Sequence, residues 1–201
     1  MKPKKKIKVG IIGENYDNDA VALCTLLHKR YSDNTYFKAL KIKGVTADNT
    51  ESASAVGRRV IGEIAKEELK YVICMKDLDD TIVNVLKLAI KDSWFATYKK
   101  VVGKQAICYL AIAETEALLL SDIETINKKY GTQLTQHANP INIADPKEEL
   151  KIATGKKSKN PYEPNHCGDI MQAITFQKVF DNHKGERSFQ AFIKELDELL
   201  S

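Results

Sequence analysis

Residues 71–80 read YVICMKDLDD, an apolar run that ends abruptly in three aspartates. Residues 7–14, IKVGIIGE, repeat this design, and Glu14 is the carboxylate that follows the run. Short apolar runs rich in valine and isoleucine are typical of buried strands in a parallel sheet. Ligands of open α/β sheets bind just beyond the carboxyl ends of such strands. If the two strands are neighbours, the pattern therefore predicts a crevice in which Glu14, Asp77 and Asp79 converge.

Strands and helices are predicted to alternate through the first 125 residues. Apolar runs or polar/apolar alternation predict strands at about residues 5–12, 36–42, 71–75 and 104–113, each followed by a helical pattern. This order is typical of an α/β fold with a doubly wound, mainly parallel four-stranded sheet.

The composition changes after residue 125. Residues 131–164 are polar and hold four of the five prolines, whereas 168–180 and 188–200 have the apolar spacing of helices, the second with Ser188 as its cap. We therefore expect an α/β domain over residues 1–125. A loop-rich and helical C-terminal appendage over residues 126–201 is expected to pack on it, so that the two form a single compact unit.

Two local predictions concern helices next to the expected crevice. The first helix is expected to be capped by the side chain of Asp17 or Asn18. The helix after the acidic turn is expected to have one apolar face made of Ile82, Val85, Leu86, Ala89 and Ile90.

The composition excludes several classes of protein. Lysine and arginine number 31 against 27 acids in 201 residues, so the net charge of +4 is not that of a polycationic packaging protein. No apolar run approaches the length of a membrane span, and no hydrophobic signal core follows the basic N-terminus. A cytoplasmic protein without a membrane partner is expected. The four cysteines lack CxxC spacing, which favours reduced thiols.

The Asp77-Leu78-Asp79 sequence favours a divalent cation. In a continuing strand, residues two apart point the same way, so two carboxylates would face one ligand and repel each other. Hard oxygen ligands of this kind suit Mg²⁺ or Mn²⁺. The alternative interpretation is an acidic N-cap, formed by Asp79 or Asp80, for the helix that follows.

A third acidic element follows the fourth predicted strand. It reads ETEALLLSD from Glu114 to Asp122. On a helix that begins at Glu114, the side chains of Glu114 and Glu116 would lie roughly 200° apart. Only one of them is then expected to face the site, and ordinary first-turn acids remain the alternative.

These elements together resemble the Toprim-like proteins, and more narrowly the small stand-alone bacterial Toprim-like proteins related to phage-defence nucleases. The resemblance rests on the strand and turn up to Glu14, on Asp77-Leu78-Asp79, on the motif from Glu116 to Asp122, and on Ser188-Phe189 opening the last helix. Two positions depart from the family pattern. Gly13 precedes Glu14 where the family has Glu-Gly, and Leu118 replaces an aromatic residue.

The resemblance implies a Mg²⁺-dependent site that acts on phosphodiester bonds of DNA or RNA. Asp77, Asp79 and Glu14 would bind the metal, Glu14 could alternatively act as general acid or base, and Glu116 would assist catalysis. Candidate phosphate-binding residues are Lys76 and the cluster Lys156, Lys157 and Lys159, for which solvated surface is the alternative. Tyr162 could stack on a base, but a packing role is favoured. Relatives linked to phage defence also imply an ATPase partner protein.

Three functions stay open. A nuclease with water as nucleophile is favoured, because the chain is too short for the tyrosine-bearing domain of a topoisomerase and lacks the template-binding parts of a primase. A receiver-like module phosphorylated on Asp77 is the first alternative. A Toprim-like subunit that is inactive without its partner is the second.

Overall fold

The computed structural model describes residues 6–155 and 161–201. The strands are β1 (Ile7–Ile12), β2 (Thr35–Ala39), β3 (Tyr71–Asp77) and β4 (Ala106–Ala111). The helices are α1 (Ala22–Tyr31), α2 (Thr50–Glu67), α3 (Val85–Val102), α4 (Glu116–Leu119), α5 (Ile123–Tyr130), α6 (Pro146–Gly155), α7 (Cys167–Ala173), α8 (Phe176–Asn182) and α9 (Phe189–Leu200). A π-helical segment, Tyr16–Val21, leads directly into α1.

The strands form one all-parallel sheet in the order β2-β1-β3-β4. In the register, Ile11 lies beside Ala39 of β2 and Ile12 beside Cys74 of β3. The predicted fold class, a doubly wound α/β fold with a helical C-terminal part, is confirmed. The second strand lies at one edge of the sheet.

The described residues divide into two compact units. The first unit consists of the residues up to Lys76 together with Val85–Tyr109 and Leu200. The second consists of Asp77–Asn84, the described part of Leu110–Leu199, and Ser201. The boundary predicted at residue 125 lies inside the second unit.

Sheet and helices bury the core of the first unit. Val9, Ile11 and Ile12 of β1 are fully buried, as expected for a central parallel strand covered on both faces. Helix α2 packs against α3 at Gly57, where a Cβ atom would come within 2.8 Å of the Val101 side chain. The missing side chain at Gly57 is therefore what lets the two helices approach.

Asn15, rather than Asp17 or Asn18, caps the first helical segment. Its side-chain oxygen accepts hydrogen bonds from the backbone N–H groups of Asp17 and Asn18, both at 3.0 Å. The predicted cap was one turn too late because the helical turns begin at Tyr16. Gly13 is required just before this cap, since a Cβ atom there would lie 2.5 Å from that of Asp19.

The predicted apolar face of α3 was wrong. Val85, Leu86 and Ile90 are 70%, 75% and 48% exposed. The buried residues of this helix are Lys91, Trp94, Phe95, Tyr98 and Val102. At 100° per residue these two sets lie on roughly opposite sides of the helix. The aromatic stripe faces the core because it offers the larger apolar area, and the shorter aliphatic run is left outside.

The helix predicted over residues 168–180 is two helices. Ile174 leaves helical geometry with ψ 155°, and α8 begins only at Phe176. At this interruption, the backbone N–H of Thr175 donates a hydrogen bond to the Asp122 carboxylate at 2.9 Å. The predicted last helix is confirmed, and Ser188 Oγ accepts from the N–H of Ala191 as its cap.

Candidate functional site

The ends of β3 and β4 continue side by side into a strained turn in the second unit. The N–H of Leu78 donates to Ala111 at 2.9 Å, and the N–H of Asp79 donates to Ala113 at 2.8 Å. Asp79 and Ala113 both adopt left-handed backbone, with φ of 53° and 66°. This conformation costs an L-residue about 1–2 kcal/mol, and such strain clusters at functional sites.

The strained turn changes what the sequence implied for Asp79. β3 ends at Asp77, so Asp79 does not continue the strand. The alternation rule that paired the two carboxylates on one side therefore does not apply to it. Asp77 accepts a hydrogen bond from the Thr115 hydroxyl at 3.4 Å, which ties the end of β3 to the segment after β4.

Lys147 of α6 lies among carboxylates of the second unit. Its Nζ is 2.7 Å from Glu114 Oε1. Burial lowers the pKa of Lys147, but the hydrogen bond to Glu114 and the charges of Glu116, Glu114 and Asp77 outweigh it, so the net shift of the pKa is upward. The charged form of Lys147 is therefore favoured by three carboxylates, which lie at a strand end or at the start of α4.

The carboxyl group of Glu114 has a raised pKa despite its bond to Lys147. Burial raises its pKa, the charges of Glu116 and Asp145 raise it further, and the Lys147 hydrogen bond only partly offsets them. Its second oxygen, Oε2, is buried and has no hydrogen-bond partner among the described residues. A buried acceptor without a donor calls for a proton, a water or a cation. A raised pKa in such a position suits a general acid or base.

Glu116 is held by a buried tyrosine. The Tyr162 hydroxyl donates to Glu116 Oε1 at 2.8 Å, and both side chains are buried. Burial and the Glu116 charge raise the pKa of Tyr162 well above its ordinary value. The backbone N–H of Tyr162 donates to the Thr154 hydroxyl at 2.7 Å. The packing role favoured for Tyr162 is thus confirmed, and its hydroxyl orients a carboxylate.

Glu114 bonds to Lys147, whereas Glu116 bonds to Tyr162 and only its charge affects the pKa of Lys147. That only one of the two glutamates faces the site therefore stays a prediction. The expected separation of roughly 200° assumed a helix that begins at Glu114. α4 begins at Glu116 instead, and Glu114 lies on irregular backbone just after the left-handed Ala113. The predicted separation of roughly 200° therefore does not apply to these two side chains.

The first unit contains a separate cluster of two lysines and two carboxylates. Lys76 Nζ lies 2.9 Å from Glu14 and 3.0 Å from Asp48, and Lys91 Nζ lies 3.2 Å from Glu14 and 2.9 Å from Asp48. Both lysines are buried. Lys76 also donates to the Val45 carbonyl and lies 4.7 Å from the centre of the Trp94 ring. We call these four residues the lysine–carboxylate network.

The network shifts the pKa values of Asp48 and Lys91 in the directions that favour their charged forms. Burial raises the pKa of Asp48, but hydrogen bonds from Lys91 and Lys76 outweigh this and lower it. Burial lowers the pKa of Lys91, but the hydrogen bond to Asp48 and the charge of Glu14 outweigh this and raise it. Two positive charges thus neutralise two negative ones, as buried ionic groups require.

The residues predicted for the site do not all belong to one unit. The boundary of the units falls between Lys76 and Asp77, so Glu14 is in the first unit, and Asp77, Asp79 and Glu116 are in the second. Their convergence stays a prediction. Lys76 was predicted to bind substrate, yet its side chain has 0% exposure and is engaged with protein acceptors. The cluster Lys156, Lys157 and Lys159 lies outside the described residues.

Within residues 6–155 and 161–201, no group of three or more His, Cys, Asp or Glu side chains is placed to hold a metal ion. The three-carboxylate metal site expected from the sequence therefore stays a prediction. The buried Oε2 of Glu114, which has no hydrogen-bond partner in this part of the chain, is nevertheless available as a cation ligand.

The sequence analysis weighed Glu114 against Glu116 but assigned a catalytic role only to Glu116, and it missed Lys147. A signal for Glu114 existed, because residues 104–113 form a third apolar run that ends in a carboxylate, as the two opening stretches do. No local signal marked Lys147, which stands 33 residues further along in a polar stretch. Asp48 and Lys91 were missed for the same reason, since only the fold brings them to Glu14.

No helix in the described part of the chain is long and apolar enough to cross a membrane. No curated protein and no solved structure matches the chain. A family described as a domain of unknown function, DUF4276, matches residues 22–197. Because this match spans most of the 201 residues, the chain belongs to the DUF4276 family.

Proposed function

We propose that the protein hydrolyses phosphodiester bonds of nucleic acid with Mg²⁺ or Mn²⁺, at the second-unit site made of Asp77, Glu114, Glu116 and Lys147. One observation carries the proposal. The Lys147 ammonium bonds to Glu114, whose other oxygen is buried without a hydrogen-bond partner in the described residues, and the charges of Glu116 and Asp77 also raise the pKa of this lysine.

The donor set fits a loosely held hard cation better than a closed metal cage. Mg²⁺ is usually bound by one or two carboxylates, and waters and substrate phosphates complete its shell. Glu114 and Asp77 are the residues that would hold it, and Asp79 is the further ligand expected from the sequence. When bound, the metal would neutralise a phosphate oxygen and lower the pKa of a water.

The chain's own groups have distinct roles in this proposal. Lys147 stabilises negative charge that develops on the phosphate, because it is a fixed cation in a partly buried site. Glu114, whose pKa is raised in the absence of a cation, would release any proton that it holds when a cation binds, because carboxylate ligands must be deprotonated. Tyr162 and Thr115 hold Glu116 and Asp77 in position by donating hydrogen bonds.

Nucleic acid is the favoured substrate because of the Toprim-like resemblance and the excess of basic residues. The lysine cluster at 156–159 follows α6 directly in sequence, and lysine-rich segments bind phosphate backbones. A cytoplasmic location, a role in phage defence and an ATPase partner belong to the same proposal.

Cleavage assays test this function. Supercoiled plasmid and single-stranded RNA are incubated with the protein and Mg²⁺ or Mn²⁺, and products are followed on gels. We expect cleavage by the wild type and losses of at least about 100-fold in Asp77→Asn, Glu114→Gln and Lys147→Met. Binding of Mn²⁺, followed by calorimetry, should weaken in the two carboxylate variants.

Matched controls separate site effects from general ones. Lys151→Met removes a lysine one turn further along α6, and Glu195→Gln removes an exposed carboxylate of α9. Both should retain wild-type cleavage. Full activity in Asp77→Asn or Glu114→Gln would refute the site. Absence of cleavage, alone and with the purified ATPase partner, would refute the function, and a phosphoryl adduct on Asp77 by intact mass would favour the receiver-like alternative.

A further inference from the structure

The second unit has a cavity of about 550 Å³ that the proposed function does not use. One wall is α6 with the residue before it, and the other is the segment after α5. Its lining residues are Thr132, Gln133, Leu134, Asp145, Glu148, Glu149, Ile152 and Ala153. This volume is in the range of ligand-binding sites. We call it the α6 groove.

The groove and the candidate site use opposite sides of one helix. At 100° per residue, Glu148, Glu149, Ile152 and Ala153 are centred roughly 170° from Lys147 around α6. Lys147 bonds to Glu114, while the other four line the groove. The groove is therefore a separate feature, and an inference about it does not rest on the proposed function.

Hydrogen bonds hold both walls in place. The Asn127 side chain accepts from the N–H of Leu134 at 2.8 Å and donates to its carbonyl at 2.9 Å. The Thr132 hydroxyl donates to the same side chain at 2.7 Å. On the other wall, Asp145 caps α6 by accepting from the N–H of Glu148 at 2.8 Å. A groove with fixed walls needs little reorganisation to bind.

The chemistry of the lining is apolar and acidic. Leu134, Ile152 and Ala153 supply apolar surface, and Ile152 is 50% exposed. Asp145, Glu148 and Glu149 supply carboxylates, and no described lining residue is basic. The carboxylate of Glu149 lies 2.5 Å from Nε2 of His137. This acidic lining contrasts with the net charge of +4 of the whole chain.

We propose that the α6 groove binds a basic, amphipathic peptide segment of a partner protein. Lysine and arginine side chains have apolar stems and charged ends. The stems would cover Ile152 and Leu134, and the ends would reach Glu148 and Asp145. Gln133, Asp145 and Glu148 on the rim are exposed, so the groove is open to a continuing chain, which favours a peptide over an enclosed small molecule.

Peptide binding tests the proposal. The probe is a fluorescent hexapeptide of alternating leucine and lysine, followed by anisotropy on the full-length protein. Two further probes replace lysine by glutamate, or leucine by serine. We expect binding of the leucine–lysine peptide, and affinities at least about tenfold weaker for the other two, because each lacks one half of the complementarity.

Variants of the groove identify the binding surface. Glu148→Gln with Glu149→Gln, and separately Ile152→Ser, should weaken binding of the leucine–lysine peptide at least about tenfold. Glu195→Gln with Glu198→Gln makes the same charge change on the exposed side of α9 and should leave binding unchanged. Unchanged affinity in the groove variants, equal binding of the glutamate peptide, or displacement of the peptide by spermidine would overturn the proposal.

Discussion

At the scale of single residues, the second-unit site depends on the pairing of Glu114 with Lys147. Glu114 is partly buried and feels the charges of other acids, so its charged form is disfavoured, and Lys147 supplies one close positive charge. The pair leaves Oε2 of Glu114 buried without a partner in the described residues. The site differs in this respect from an ordinary surface ion pair, in which water solvates the second carboxylate oxygen.

Replacing Lys147 by methionine should raise the pKa of Glu114 further. The hydrogen bond and the positive charge that lower this pKa would be lost, whereas burial and the Glu116 charge would remain. Titration of the glutamate carboxyl carbons by ¹³C NMR measures the shift. Lys151→Met, on the same helix, should leave the pKa of Glu114 as it is. A pKa that falls in Lys147→Met would contradict this electrostatic account.

At the scale of elements, Asp122 connects three helical segments of the second unit. It is fully buried, accepts from the N–H and hydroxyl of Thr125 at the start of α5, and accepts from the N–H of Thr175 before α8. Lys178 of α8 lies 3.2 Å away. The aspartate that ends the late sequence motif is therefore an anchor for helix starts.

Asp122→Ala should destabilise the protein by about 2–4 kcal/mol at pH 7, because buried donors lose their acceptor. Burial raises the pKa of Asp122, but the hydrogen bonds from Thr175 and Thr125 and the Lys178 contact lower it overall. A lowered pKa stabilises the fold above the unfolded value of about 3.9. That contribution is lost as the pH falls towards the folded value.

Urea unfolding at pH 7 and at pH 3 measures both parts of this expectation. The difference between Asp122→Ala and wild type should be smaller at pH 3. Asp181→Asn serves as the control, because Asp181 accepts only an exposed hydrogen bond from Gln177 in α8. A difference that grows on acidification would show that the Asp122 carboxylate is not stabilised as described.

At the scale of the whole molecule, the lysine–carboxylate network spans the sequence of the first unit. Glu14 follows β1, Asp48 precedes α2, Lys76 is in β3 and Lys91 is in α3. Four segments far apart in the chain thus meet at one charge cluster, in which the two lysines are buried and the Asp48 side chain is 40% exposed. Such clusters stabilise little relative to apolar packing, but removing a single member is costly because it leaves an uncompensated charge.

Lys91→Met should lower the free energy of unfolding by about 3 kcal/mol at pH 7. Lys76 would then be the one lysine of the network that remains for both Glu14 and Asp48. The pKa of Asp48 would rise because the hydrogen bond from Lys91 is lost. In wild type this pKa is lowered, so the stabilisation is present above the unfolded value of about 3.9 and disappears as the pH falls through the folded one. Chemical unfolding across this range measures the loss.

Lys99→Met is the matched control, since Lys99 is an exposed lysine of the same helix. It should change the free energy of unfolding by less than about 0.5 kcal/mol. Combining Lys91→Met with Asp48→Asn should cost less than the sum of the two single changes, because the second removes a charge that the first left uncompensated. Strict additivity would show that the two side chains do not interact.

Much of the fold could be predicted because it depends on local patterns. Short valine- and isoleucine-rich runs gave the strands, and helical spacing gave most helices, down to Ser188 as a cap. The exposed start of α3 could not be predicted, because two apolar stripes share that helix and only packing decides which one is buried. The break between α7 and α8 depends on Asp122, more than fifty residues away.

The sequence by itself determined the parallel α/β class and the carboxylates that end the strands, since strand period and strand-end chemistry are properties of neighbouring residues. Only the tertiary structure decided which charges meet. It brought Lys147 to Glu114, joined Glu14 and the buried Lys76 in one network, and placed an acidic groove beside α6. The physical reason is that Coulombic and hydrogen-bond partners are selected by distance in space, which the order of residues does not contain.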